Sequence, residues 1–242
     1  MHRYLRRWCK AAAELEACGS YERALTQLSL PKSVGLKMEP SFRAELADFL
    51  WSYERDFCSS LKEALQEGGV SFEDLTDWQK LKGDLAGLAD TRILRSREFS
   101  LHIDFKRESA AVFIGISDTE KRLAAKSAPS LAEAFLKWRA DLGNKSLNPE
   151  ETARRLRIAF SLAVGKSGRK SCALEELCPY MRRFALMKSA FAKNPTGANL
   201  EACGRVQLLF EVSELLNQEK KNGIAIEAQP EELSWHSLVS LI

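Results

Sequence analysis

The sequence predicts a mainly α-helical protein, arranged as two helical lobes with one small β-hairpin at about 98–117 and a candidate third strand near 224–227. Three observations carry that expectation. Apolar residues recur at helical spacing through most of the chain; Pro, Ser or Asn opens these stripes and Gly closes them; and strict alternation of apolar and polar residues is clear in one stretch only. Apolar content of 45%, charged content of 29% and only seven Pro in 242 residues describe an ordered chain with enough material for a sizeable core. The hairpin divides it into an N-terminal helical region (1–97), a hairpin connector (98–120) and a basic helical region with an acidic C-terminal tail (121–242).

In chain order, helices are expected at about Tyr4–Ala17 and Tyr21–Leu28. Pro40 then opens a long amphipathic helix through Phe42, Leu46, Phe49, Tyr53, Phe57, Leu61 and Leu65, closed by Gly68-Gly69. A helix capped by Ser71, with Glu73, Asp74 and Asp77 near its positive end, should bury Phe72, Leu75, Trp78, Leu81 and Leu85. Phe99, Leu101, Ile103 and Phe105 alternate with polar residues; after a polar turn at Arg107-Glu108-Ser109 comes a second strand ending at Ile116. A two-stranded ribbon is marginal alone, so it must lie on helices or find a third strand, for which Gly223–Glu227 is the best candidate.

The basic region contains four helix signatures. Ser130 with Glu133 is a capping box ahead of Leu131, Phe135 and Trp138; Asn148-Pro149-Glu150-Glu151 opens the next helix, with Ala153, Leu156, Ala159, Phe160 and Ala163 inward until Gly165. A third helix is expected near Glu175 to Phe191 and a fourth from Ala198 to about Asn217.

Charge is distributed unevenly. Between Lys121 and Lys193 stand sixteen Lys and Arg against six Asp and Glu, a formal +10 in a chain that totals +3, which leaves −7 for the flanks. A single-signed block on a folded domain is the usual footprint of a polyanionic partner. Arg154, Arg155 and Arg157 fall off the apolar stripe of their helix and are expected to face solvent or a partner, because burying an unpaired guanidinium is costly. Lys166, Arg169 and Lys170 lie in a Gly-rich loop, and Arg182 and Arg183 lie on the third helix. These eight are the candidate nucleic-acid contacts; the prevalence of Arg suits bidentate phosphate binding.

Other chemistry is poorly supported. Gly165-Lys166-Ser167 lacks the earlier Gly and the preceding strand of a phosphate loop, since Phe160 occupies the position five residues before Gly165. Six Cys form no C-x-x-C pair and three His stand apart from them, so no metal, no cofactor and no disulfide is expected. Adjacent carboxylates Glu73-Asp74 and Glu175-Glu176 are accounted for by helix-start electrostatics. His102 stands on the polar face of its strand, and Trp51 and Trp138 belong with the core. No active site is read. The basic N-terminus is not followed by an apolar run, and no stretch approaches the roughly 20 apolar residues of a membrane helix, so a cytoplasmic protein without a membrane partner is expected.

Within 131–216, the succession Leu131-Ala-Glu-Ala-Phe-Leu-Lys-Trp138, Asn148-Pro-Glu-Glu-Thr-Ala-Arg-Arg-Leu-Arg157, Leu174-Glu-Glu-Leu177 and the start at Pro195-Thr196 resembles the four-helix core-binding domain of tyrosine recombinases. The resemblance implies a helical DNA-clamping module and not recombination, because no catalytic Arg, His-x-x-Arg and Tyr set follows. The sequence thus points to a non-enzymatic nucleic-acid-binding protein (DNA or RNA), directed at the backbone with little sequence choice and acting beside other protein subunits in a nucleoprotein assembly. A helical adaptor or regulator that binds an acidic protein is the alternative.

Overall fold

The structure, a computed structural model, describes residues 40–81, 91–105, 107–117, 120–165, 167–186, 197–218 and 223–242. The helices expected at 4–17 and 21–28 lie outside them. The described chain begins with helix α1 (Pro40–Glu67), a two-residue strand β1 (Glu73–Asp74) and one turn of helix α2 (Trp78–Leu81). Strands β2 (Arg92–Arg95), β3 (Phe99–Asp104), β4 (Ser109–Ile114) and β5 (Glu120–Ala124) follow. Helices α3 (Ala128–Lys145) and α4 (Pro149–Val164), strand β6 (Ser171–Ala173), helices α5 (Leu174–Leu186) and α6 (Gly197–Leu216), and strands β7 (Ile224–Ile226) and β8 (Leu238–Leu241) complete it.

The fold is α+β, which corrects the mainly α expectation. Eight strands among the described residues form two sheets, one of five in the order β1-β2-β3-β4-β5 and one of three in the order β6-β8-β7. The expected hairpin is β3–β4, but it is the middle of the larger sheet. Residues 224–226 are a strand as read, yet they pair with β8 (Ile224 opposite Leu241, Ile226 opposite Val239) and not with the hairpin. The missed strands β2, β5, β6 and β8 are three to five residues long, too short to show a period. Strand β5, at the edge of its sheet, is largely exposed and carries Lys121 and Arg122, a composition that discourages pairing with another chain.

The chain divides into two units: the described residues up to Ser96 with 101–112 and 122–137, and residues 97–100, 113–121 and 138–242. In the first, α1 buries Phe57, Cys58, Leu61 and Leu65 along one stripe. Its end is a Schellman motif: Gly69 takes φ +79°, its N–H binds the Gln66 carbonyl, and the N–H of buried Val70 binds the Leu65 carbonyl. The helix read at Ser71 is instead β1 and the short α2. The Asp74 carboxylate accepts the Thr76 backbone N–H at 2.9 Å and the Trp78 Nε1–H at 2.8 Å, so its side chain closes a turn that competes with helix. Trp78 lies edge-on to Trp51, whose Nε1–H reaches the Trp78 carbonyl at 2.7 Å, and Leu75 is exposed rather than buried. Arg92 and Glu54, both buried, form an ion pair at 2.6 Å.

In the second unit α4 is the hub, packed against α5, α6 and all three strands of the smaller sheet. Asn148 caps it, its Oδ1 accepting the Glu151 N–H at 2.9 Å with Pro149 in the first turn, and Gly165 ends it at φ +50°. The inward side chains include Ala153, Leu156, Ala159 and Phe160, as the sequence implied. Helix α6 is enclosed from Leu208 through Ser213, with Phe210 stacked on Phe99 at 6.1 Å and Trp138 edge-on to the same ring. Between β7 and β8 the chain passes through a turn of 3-10 helix (Pro230–Glu232), after which the Leu233 carbonyl accepts the Ile116 N–H. Gly115, at φ +58°, has no room for a Cβ against the Leu233 backbone.

Candidate nucleic-acid interface

The cations nominated from sequence are spread over α4, the loop that follows it, and α5. On α4 they are bound up with Glu151, in the helix's first turn. Arg154 grips that carboxylate with two hydrogen bonds, Nε to Oε2 at 2.7 Å and Nη2 to Oε1 at 2.8 Å, and Arg155 Nε adds a third to Oε1 at 2.9 Å. The two guanidiniums hold the Glu151 carboxyl at about 2, well below its ordinary range. Arg154 remains exposed, but Arg155 is 6% exposed. Its outward placement is therefore corrected: at i+4 from Glu151 and close to Glu211, its charge is matched well enough for the head group to be buried. Arg157 is exposed and makes no ion pair among the described residues.

In the loop, Arg169 Nη1 meets Glu176 Oε2 at 2.8 Å, which keeps that carboxyl below its usual range. Glu176 Oε1 also accepts the Ala173 N–H at 3.1 Å, so the pair fixes the entry to α5. Lys170 is exposed, and no ion pair of it is seen among the described residues. Lys166 lies outside the described residues. Arg182 and Arg183 occupy the C-terminal part of α5, where the described structure is the helical backbone alone.

Two features escaped the sequence reading. Glu211 is buried on α6 and accepts the Leu147 N–H and a Gln207 Nε2–H, both at 3.1 Å; Gln207 also donates to the Lys145 carbonyl, so the pair ties the α3–α4 loop to α6. Burial pushes the Glu211 carboxyl up, against the opposing pull of those donors and Arg155. Its only sequence signal is an acid inside an apolar run, Phe210-Glu211-Val212. The second is Arg205, whose guanidinium lies 4.8 Å over the ring of buried Trp235 and 3.7 Å from Glu175. No sequence spacing joins residues so far apart.

Cys58, Cys172 and Cys178 are buried cysteines, with the Cys58 thiol pushed far above its ordinary range by desolvation. His102 is half-buried. Among the described residues, no group of three or more His, Cys, Asp or Glu is arranged to hold a metal ion, and no helix is long and apolar enough to cross a membrane. No protein-family model, curated protein or solved structure matches the chain.

Proposed function

We propose that this chain binds nucleic acid through the C-terminal part of its second unit, without catalysing a reaction and with little sequence choice, as a subunit of a nucleoprotein assembly. One observation carries the reading. From α4 to β8 the order is helix, strand, helix, helix, strand, strand, and the antiparallel sheet runs β6-β8-β7. That connectivity is the one found in a winged helix-turn-helix, with α5 and α6 as the helix pair. In helix-turn-helix proteins the second helix approaches the major groove by its N-terminal end while neighbouring elements hold the phosphates. The likeness of 131–216 to a recombinase core-binding domain points to the same class of ligand.

The details favour backbone contact over base reading. Helix α6 is enclosed from Leu208 through Ser213, so that stretch offers no face to a groove. The β7–β8 connection carries exposed Glu227, Glu231 and Glu232 and repels phosphate, so the loop cations Arg169 and Lys170 and the α5 cations Arg182 and Arg183 are left to hold the backbone. The test is anisotropy of labelled duplexes and single strands of unrelated sequence at two salt concentrations. The expected outcome is salt-sensitive binding whose log–log slope is about −0.9 per phosphate neutralised. Absence of binding at low salt overturns the reading. The adaptor alternative draws on one observation, that Arg157 is exposed and makes no ion pair among the described residues, which leaves it as open to a partner's carboxylate as to a phosphate. Binding of polyglutamate without binding of nucleic acid would select it.

A further inference from the structure

The outer face of α4 combines features that phosphate binding does not use. Arg154, Arg157, Ile158, Ser161 and Leu162 share one shallow, open face along about two turns of the helix. Leu162 is 53% exposed, and Ile158 beside it is half-buried. The Ser161 hydroxyl donates to the Arg157 carbonyl at 3.0 Å, so that donor is turned inward along the helix. Of the two guanidiniums, Arg157 makes no ion pair among the described residues, while Arg154 holds Glu151 by Nε and Nη2 and leaves Nη1 outside that pair.

A single exposed leucine is ordinary. Here it adjoins a second aliphatic side chain and two cations three residues apart, about 4.5 Å along the helix axis. A phosphate backbone gains nothing from the aliphatic half of such a face. A second copy of the same face would bring guanidinium toward guanidinium. A helix that offers carboxylates at the same spacing beside its own aliphatic residues satisfies both halves at once.

From this complementarity of charged and aliphatic positions we infer that this face of α4 is the docking site for an acidic amphipathic helix of a partner protein, with Arg154 and Arg157 receiving its carboxylates and Ile158 and Leu162 its aliphatic side chains. Such docking is separate from nucleic-acid binding, which falls to other elements of the unit. The probe is a labelled synthetic helical peptide with Glu at positions three apart and Leu on the same face, titrated onto the full chain by anisotropy, with a Lys-for-Glu peptide as control. The Glu peptide should bind and the Lys peptide should not. Arg157→Gln and Leu162→Ala should each weaken binding about tenfold, the size of a well-seated interface side chain. Thermal melting of both variants should match the parent, since both positions are exposed, and Leu162→Ala should leave duplex affinity unaltered.

No binding of the Glu peptide, or equal binding by parent and both variants, overturns the inference. A dimer in sedimentation that Leu162→Ala dissolves would assign the face to a second copy and overturn it as well. If duplex binding fails while the peptide result holds, only the nucleic-acid reading falls.

Discussion

Each unit contains an arginine–glutamate pair, and the two behave differently. In the first, Arg92 meets Glu54 at 2.6 Å with side-chain exposures of 3% and 0%. In the second, Arg154 meets Glu151 at 2.7 Å with exposures of 55% and 22%, and Arg169 meets Glu176 at 2.8 Å with both partners more than two-fifths exposed. The distances are alike, but the surroundings are not. A buried pair is held because the separated charges have no alternative partner; an exposed pair exchanges with water and ions and contributes little. Arg92 is therefore fixed in place, while Arg154 and Arg169 can leave their carboxylates for a phosphate or a partner's carboxylate. The formal +10 of the 121–193 segment has to be divided by exposure before it says anything about ligands.

The largest expected effect breaks the buried member. Arg92→Ala leaves Glu54 charged and enclosed, and should lower the unfolding free energy by about 3–5 kcal/mol in denaturant titration. Replacing both residues by apolar ones of similar volume should recover most of that loss. Next is Glu211→Leu, which strips the Leu147 N–H and Gln207 of their acceptor and should lose about 1–3 kcal/mol. Asn148→Ala removes the α4 cap and should lose about 1 kcal/mol.

The smallest effect in stability sharpens the comparison through pH. Glu151 is held from an ordinary 4.5 down to about 2, so its contribution is fully present above the ordinary value and is lost as pH falls toward 2. Glu211 is displaced upward, so its contribution has the opposite slope: stability falls as pH rises from the ordinary carboxyl range through its raised value. Melting profiles against pH should lose the acid-side fall in Glu151→Gln and the upper fall in Glu211→Gln. Profiles unchanged by either substitution would show that these carboxyls titrate alike folded and unfolded.

The helices are legible where punctuation and stripe agree. Pro40 with Gly69, and Asn148 with Gly165, mark α1 and α4 because the first-turn and exit geometries demand those residue types. Reading fails where a side chain serves the backbone: Ser71 to Leu81 has helical spacing, but Asp74 accepts two donors in a turn, and the segment pairs with Leu94 and Arg95 instead. The small sheet is invisible in the sequence because its strands, three to four residues long, are fixed by partners far along the chain, as Cys172 is by Val239. At the candidate site, Arg157 faces outward as its place off the apolar stripe implies. Arg155 does not, because its neutralisation depends on Glu151 one turn earlier and on Glu211 of another helix. The docking face is hinted at by Ile158 and Leu162, two aliphatic residues that the inward stripe of α4 does not use.

The most direct test is the salt dependence of duplex binding in the parent chain and in Arg182→Glu/Arg183→Glu, measured with the same labelled DNA. If the helix pair α5–α6 lies on the nucleic-acid backbone, the variant binds more weakly on every sequence and its slope flattens by about 0.9 for each phosphate no longer neutralised. Equal affinity and equal slope in parent and variant would contradict the account.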